Sequence, residues 1–347
     1  MPGSGPTGLF VGLTTLDTIY RVERPPLADE KIVAAEFVTA AGGPATGAAV
    51  AFARLGGRAV LLSAVGAGPL AQAARADLAV VGVRSLDLRP GEVVLPVSAT
   101  MISSPGGQRA VVSAHGALPG PAPGATAAAL RAVGGNVGAV DVGAVDVGAV
   151  DVVLVDGHQV DAALEVLRAI RGHLPGPAAG GGGAAGGPAV VFDGGSWKPG
   201  TDRLLAEVDA AVCGSAFRPP GLGAGAGVPD VLRYLLDQGP SFAAVTDGAA
   251  PIRWADTHGG GLVRPPAVHA VDTLGAGDVL HGAFAWSLAG ASTLGTAAMV
   301  SALTAAARVA ARSVESFGTR AWLQEPLDGD RGAQQAQSSS PAGSSTR

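Results

Sequence analysis

The stretch AVDTLGAGDVLHGAFAW, residues 270–286, sets two carboxylates, Asp272 and Asp278, on either side of Leu274, Gly275, Ala276 and Gly277. Residues this small let bare backbone N–H groups approach an anion. Leu280, Phe284 and Leu288 follow four apart, which predicts a helix that starts inside the loop. The unpaired N–H groups of a first turn and the positive end of the helix dipole together suit a phosphate. A carboxylate there repels that ligand, unless its task is to take a proton from a hydroxyl held between itself and the phosphate. Asp278 is then a general base, and the N–H groups of 275–277 steady the charge on a moving phosphoryl group. Read alone, Asp278 also suits a first-turn residue favoured by the dipole, with Gly275 and Gly277 as turn formers.

A loop of this kind needs a rigid support, and the chain supplies alternating strands and helices. GLFVGL (8–13) reads as a buried strand, followed by extended segments near 17–22 and 31–39. In GGPATGAAVAFARLGG, Ala45, Ala48, Phe52 and Leu55 fall at helical spacing before Gly56 and Gly57 end the element. RAVLLSAVG, DVVLVDG, AVVFDGG and SFAAVTDG read as strands. PLAQAARADLAVVG, VDAALEVLRAIRGH and VPDVLRYLLDQG read as helices, the second with Val160, Leu164, Leu167 and Ile170 on one face. Strands apolar throughout imply a mostly parallel sheet with helices on both faces, a three-layer α/β/α sandwich. Residues 94–114 break the alternation with two extended runs around Pro105, Gly106 and Gly107. They predict a hairpin that joins the early extended segments in a small sheet over one end of the main one.

A chain of 347 residues, 48% hydrophobic, is long enough for a large core. Its 54 glycines and 25 prolines direct part of it into loops and inserts. The repeated VGAVD within 137–151 and the glycine-rich 175–189 read as low-complexity inserts, near 134–150 and 175–189, and residues 325–347 read as a disordered tail behind one domain over 1–324. A net charge of −5 without a basic block argues against nucleic acid and anionic membrane partners. No apolar run approaches a membrane span, the start lacks a secretory leader, and the single cysteine, Cys213, suits a reducing compartment, so the expected location is cytoplasmic. Cys213 itself reads as a packing residue.

The six histidines show no metal-ligand spacing. His158, after a strand end, is placed to touch a ligand or to sit in a loop. His281, one turn beyond Asp278, reads as packing. Arg109 sits on the hairpin as a turn arginine or a contact to acceptor charge. No G-x-G-x-x-G follows the first strand and no P-loop motif occurs, which excludes an NAD enzyme and a P-loop ATPase.

VDTLGAGDVLHGAF and GGPATGAAVAFARLG, in this order and separation, resemble the signature regions of the ribokinase-like (PfkB) carbohydrate kinases, and the likeness runs over most of residues 8–318, including GLTTLD and VVLVDG. The resemblance implies a small β-sheet lid, near 15–40 and 92–115, on the three-layer domain. It also implies ATP as donor, Mg²⁺ as its counterion, a sugar or related alcohol as acceptor, and a homodimer formed through the lid. By position, Asp278 matches the family base and Gly275, Ala276 and Gly277 its anion hole. Asp272 and Thr273 match the region where some members hold a monovalent cation such as K⁺ on backbone oxygens. Asp17 matches the carboxylate that accepts from acceptor hydroxyls, Gly42 and Gly43 the pair that lets backbone approach the sugar, and Thr246 and Gly248 the nucleotide-side loop.

Three departures stand beside these matches. Gly47 occupies a place where many members carry Asn. The Asn-x-x-Glu that organises Mg²⁺-bound water is missing from VCGSAFRP (212–219). Pro251 replaces a glycine of the nucleotide loop and removes an N–H donor. The pattern is nearest to the branch that includes sulfofructose kinase, in which Lys31 would meet an anionic group on the acceptor. Otherwise Lys31 is a solvated lysine that discourages edge pairing. The expected activity is ATP-dependent phosphorylation of a sugar or anionic sugar derivative. A nucleoside kinase of the same fold and a degenerate, non-catalytic sugar-binding protein are the alternatives.

Overall fold

The computed structural model describes residues 5–103, 107–114, 119–133, 149–173, 187–223 and 225–325. The inserts expected near 134–150 and 175–189, the hairpin turn at 105 and 106, and the tail from 325 lie wholly or largely outside these residues.

Two sheets form. Strands β1 (Thr7–Val11), β4 (Arg58–Ser63), β5 (Arg84–Asp87), β8 (Val152–Val155), β9 (Ala189–Gly194), β10 (Ala210–Gly214) and β11 (Phe242–Thr246) run parallel. With β12 (Ile252–Asp256) and β13 (Gly260–Val263), antiparallel at one edge, they make a nine-stranded sheet of order β13-β12-β11-β10-β9-β8-β1-β4-β5. A four-stranded sheet of order β3-β2-β6-β7 holds β2 (Thr15–Val22), β3 (Glu36–Gly42), β6 (Val97–Ser103) and β7 (Gln108–Ser113). This is the small sheet expected from the early extended segments and the hairpin.

Strand alternation divides the main core in two. Phe10, Leu154, Val191 and Val212 point to α1 (Pro44–Arg54), α2 (Pro69–Val80), α7 (Ala276–Ala289) and α8 (Thr296–Ser313). Leu9, Val153, Val190 and Ala211 point to α3 (Ala125–Val133), α4 (Val160–His173), α5 (Thr201–Leu205) and α6 (Val228–Asp237). The result is the three-layer α/β/α arrangement expected from the alternation of strands and helices. Both α1 and α2 begin with proline behind a glycine of positive φ, Gly43 at 101° and Gly68 at 98°. Proline's fixed φ and missing N–H suit a first helical position. A third, smaller core of Ile19, Ile102 and Phe317 fills the space beneath the four-stranded sheet.

Cys213 is buried, as its packing role predicted, and burial followed by the charge of Asp193 raises its thiol pKa. Among the described residues no helix is long and apolar enough to cross a membrane.

Candidate active site

All parallel strands end on the same edge of the main sheet, where an open α/β sheet gathers its ligands. Helix α7 starts above that edge. Its N-cap, Gly275, has φ 76°, a left-handed conformation that favours glycine. The loop before it is organised by Asp272, which is 2% exposed. One carboxylate oxygen accepts from the Leu274 N–H at 2.8 Å and the other from the Gly318 N–H at 2.9 Å. Burial is the leading influence on Asp272 and raises its pKa against the pull of those N–H groups and of Arg109 and Arg21. The Asp272 side chain therefore holds the loop.

The N–H groups of the first α7 turn have no carbonyl one turn back within the helix. Gly277 is exposed, and a Cβ placed on it would meet nothing within 4 Å. Backbone at this point is open to a ligand. The small sheet docks beside it, where the Thr273 hydroxyl donates to the Gly107 carbonyl at 3.3 Å.

Asp278, Gly275, Asp17, Gly42, Gly43 and Gly47 line one cleft, together with Leu274, Thr319, Arg320 and Trp322. Asp17 lies on the inner face of the small sheet, paired in register with Ala40 and Ser98. Its Oδ1 accepts from the Thr15 hydroxyl at 2.6 Å and the Ser98 hydroxyl at 2.7 Å. A side chain at Gly42 would collide with the other oxygen of Asp17. Glycine at 42 thus leaves the carboxylate facing the cleft.

Asp278 keeps part of its surface open to the cleft, yet protein surrounds its carboxyl closely. Burial is the first cause that raises its pKa well above the ordinary carboxylate value. Asp193, Asp17 and Asp156 push the same way, and Arg109 opposes them. Arg109 is exposed on β7, in register with buried Ile102 and so on the inner side of the small sheet.

Two buried carboxylates under the cleft had no signal in the sequence. Asp156, 1% exposed at the end of β8, accepts from the N–H groups of Leu13 at 2.8 Å, Ala45 at 3.1 Å and His158 at 2.9 Å. It ties the loop after β1 to the first turn of α1. Asp193, 4% exposed at the end of β9, stands 3.2 Å from Nδ1 of His281. Burial raises its pKa, while His281 counteracts. Arg320 was also outside the expected set. It donates to the Ala41 carbonyl at 2.6 Å and pairs with Asp77 at 2.8 Å, holding the C-terminal segment as a wall of the cleft.

Other expected residues stand apart from the cleft walls. Lys31 is exposed in the connection between β2 and β3, and His158 is half-buried beside Asp156. Thr246 ends β11 with its hydroxyl 3.4 Å from the Cys213 carbonyl, and Gly248, at φ 53°, follows in an open turn. Both share the sheet edge with α7 without lining the cleft that Asp278 faces. The segment 212–219 has a clear packing identity. Phe217 is fully buried, edge-on to Phe192 at 6.1 Å and 5.7 Å from Trp197. Among the described residues, no three His, Cys, Asp or Glu side chains converge as a metal-binding group.

A family model described as "pfkB family carbohydrate kinase" matches residues 9–117 and 221–326, more than half of the chain. Among solved structures, a putative ribokinase from Agrobacterium tumefaciens is 26% identical with a TM-score of 0.71, over 97% of this chain and 100% of that one. Ribokinase from Thermotoga maritima shares the fold at 18% identity and a TM-score of 0.64, over 95% and 99% of the two chains. Aminoimidazole riboside kinase from Salmonella enterica does so at 19% and 0.66, over 94% and 99%.

Proposed function

The chain belongs to the pfkB family of carbohydrate kinases, and from that premise we propose that it transfers the γ-phosphoryl group of MgATP to a hydroxyl of a sugar or anionic sugar derivative, with Asp278 as general base. The observation that carries this reading is the shared cleft. Asp278, Gly275 at the N-cap of α7 and the free face of Asp17 all line it, while Ala276 and Gly277 continue the same turn beside it.

The division of labour follows from that geometry. Acceptor hydroxyls donate to the Asp17 oxygen that Thr15 and Ser98 leave free, and Gly42 and Gly43 let the sugar approach backbone. The reacting hydroxyl gives its proton to Asp278. Its oxygen forms a bond to the γ-phosphorus as the bond to the bridging oxygen breaks and ADP leaves. N–H groups at the start of α7, from Gly275 through Gly277, would steady the charge that gathers on the transferring oxygens, that of Ala276 giving up a long 3.4 Å bond to the Thr273 carbonyl to do so. Mg²⁺ enters with the nucleotide as part of the substrate. Thr246, Gly248 and Thr273 border the nucleotide side, and a monovalent ion such as K⁺ would sit on backbone oxygens near Asp272. A raised pKa makes Asp278 a stronger base toward an alcohol.

Acceptor choice belongs to the same proposal. An anionic sugar derivative stays among the candidates because Lys31 and Arg109 are both exposed on the small-sheet side. A panel of ribose, fructose, phosphosugars, sulfofructose and adenosine, read by ADP release, identifies the acceptor and separates a sugar kinase from a nucleoside kinase. Asp278→Asn should bind nucleotide and lose turnover by about 10²- to 10⁴-fold. Undiminished turnover rejects the assignment.

A second reading is favoured by Phe217, which fills a core where the family pattern calls for polar residues, and by Pro251 in the nucleotide loop. On this reading the chain binds sugar without catalysis. Thermal stabilisation by sugars and none by MgATP would support it.

A further inference from the structure

His281 lies on α7 one turn beyond Asp278 and is 4% exposed. Both of its ring nitrogens face oxygen. Nδ1 is 2.7 Å from the Gly277 carbonyl and 3.2 Å from the Asp193 carboxylate, and Nε2 is 3.0 Å from the Val212 carbonyl on β10. A carbonyl oxygen only accepts. A neutral ring carries one N–H, so either tautomer leaves a nitrogen lone pair against a carbonyl lone pair. A protonated Asp193 does not repair this, because Gly277 is nearer to Nδ1 than Asp193 is. Only a ring protonated on both nitrogens satisfies every contact.

The surrounding charges fit that state. Asp193 is buried as deeply as the histidine, and apart from the ring its Oδ2 has no hydrogen-bond partner. Asp278 on the same helix and Asp156 on β8 add negative potential around Asp193. Lys198 lies beyond Asp193, Arg109 faces Asp278 from the small sheet, and Cys213 on β10 is buried. Helix α1 brings its small residues against α7, among them Gly47 and Ala48.

We propose that His281, protonated on both ring nitrogens and paired with Asp193, clamps the first turn of α7 to strands β9 and β10 and so acts as a positioning residue for the phosphoryl-binding backbone. The role rests on the kinase reading above, while the charge state does not. Through Nδ1 it fixes the carbonyl of Gly277, whose own N–H belongs to the anion-binding turn. Its charge also offsets that of Asp193, which otherwise adds to the negative field on Asp278.

Long-range proton–nitrogen correlation spectra of ¹⁵N-histidine-labelled protein test the charge, with the His281 signal assigned by its absence from His281→Gln. Both nitrogens should show protonated shifts at neutral pH. A single protonated nitrogen in the parent protein at neutral pH overturns the proposal. For the role, His281→Gln should lower kcat by on the order of 10²-fold with KM for both substrates nearly unchanged, and unaltered kcat overturns it. If the parent protein turns over no acceptor, the kinase reading has failed. The clamp is then judged by amide exchange at 277–281, faster in His281→Gln if it exists and unchanged if it does not.

Discussion

A methyl group built on Gly47 would stand 2.6 Å from Cβ of Asp278 and 2.7 Å from its Oδ2. The glycine that departs from the family pattern is therefore the surface against which the Asp278 side chain rests. A larger side chain at 47 has no room unless α1 and α7 separate or Asp278 turns away. The contact to the acceptor that an asparagine would supply is absent here for a packing reason.

Gly47→Ala should displace the Asp278 carboxyl. Overpacking of this kind typically costs about 1–3 kcal/mol, and a misplaced base on the order of 10²-fold in rate. Thermal melting and kcat check the two parts. A variant with unchanged melting and full turnover would show that the helices yield easily.

The raised pKa of Asp278 gives two signs that can be read separately. As a base it works ionised, so kcat/KM should climb with pH through a value above the ordinary carboxylate range. For stability the direction reverses. The folded protein holds this proton more tightly than the unfolded chain, so between the unfolded and folded pKa values stability falls as pH rises. Asp278→Asn should thus melt higher than the parent near neutral pH, by at least about 2 °C. Scanning calorimetry across pH measures this, and a lower melting temperature for the variant would contradict it.

Phe37 and Val112 are each 68% exposed, and their strand registers put both on the outer face of the small sheet. A homodimer through the lid, expected only from the resemblance, would cover this face. Phe37→Glu should then shift the mass measured by light scattering from dimer toward monomer. A monomeric parent protein would refute the expectation.

The start of α7 inside the glycine loop could be read from sequence because its signal is local: glycines at 275 and 277, a carboxylate at 278, and apolar residues four apart behind them. Helix α4 was equally plain, since its apolar face repeats over 160–173. The small sheet followed from segments too extended for helix and out of step with the alternation. Asp156 and Asp193 were hidden inside apolar strand ends, and only folding shows what they do. Asp156 caps residues 111 and 143 positions away. Arg320 was missed for the same reason, with partners 243 and 279 positions distant. Strands β5, β12 and β13 are short and carry Arg, Trp or Gly, so they lack the apolar run that marked the central strands. Lys31 drew notice by its charge, and charge alone does not say which way a loop carries it.

Gly282 of α7 meets α1 so closely that a Cβ there would strike the carbonyl of Ala48, and Gly47 touches Asp278 one turn earlier. The two helices that begin at the cleft, α1 behind Gly43 and α7 behind Gly275, are therefore braced into a single beam. Neither can slide without the other. The four-stranded sheet, which carries Asp17 on β2 and Arg109 on β7, is outside that beam.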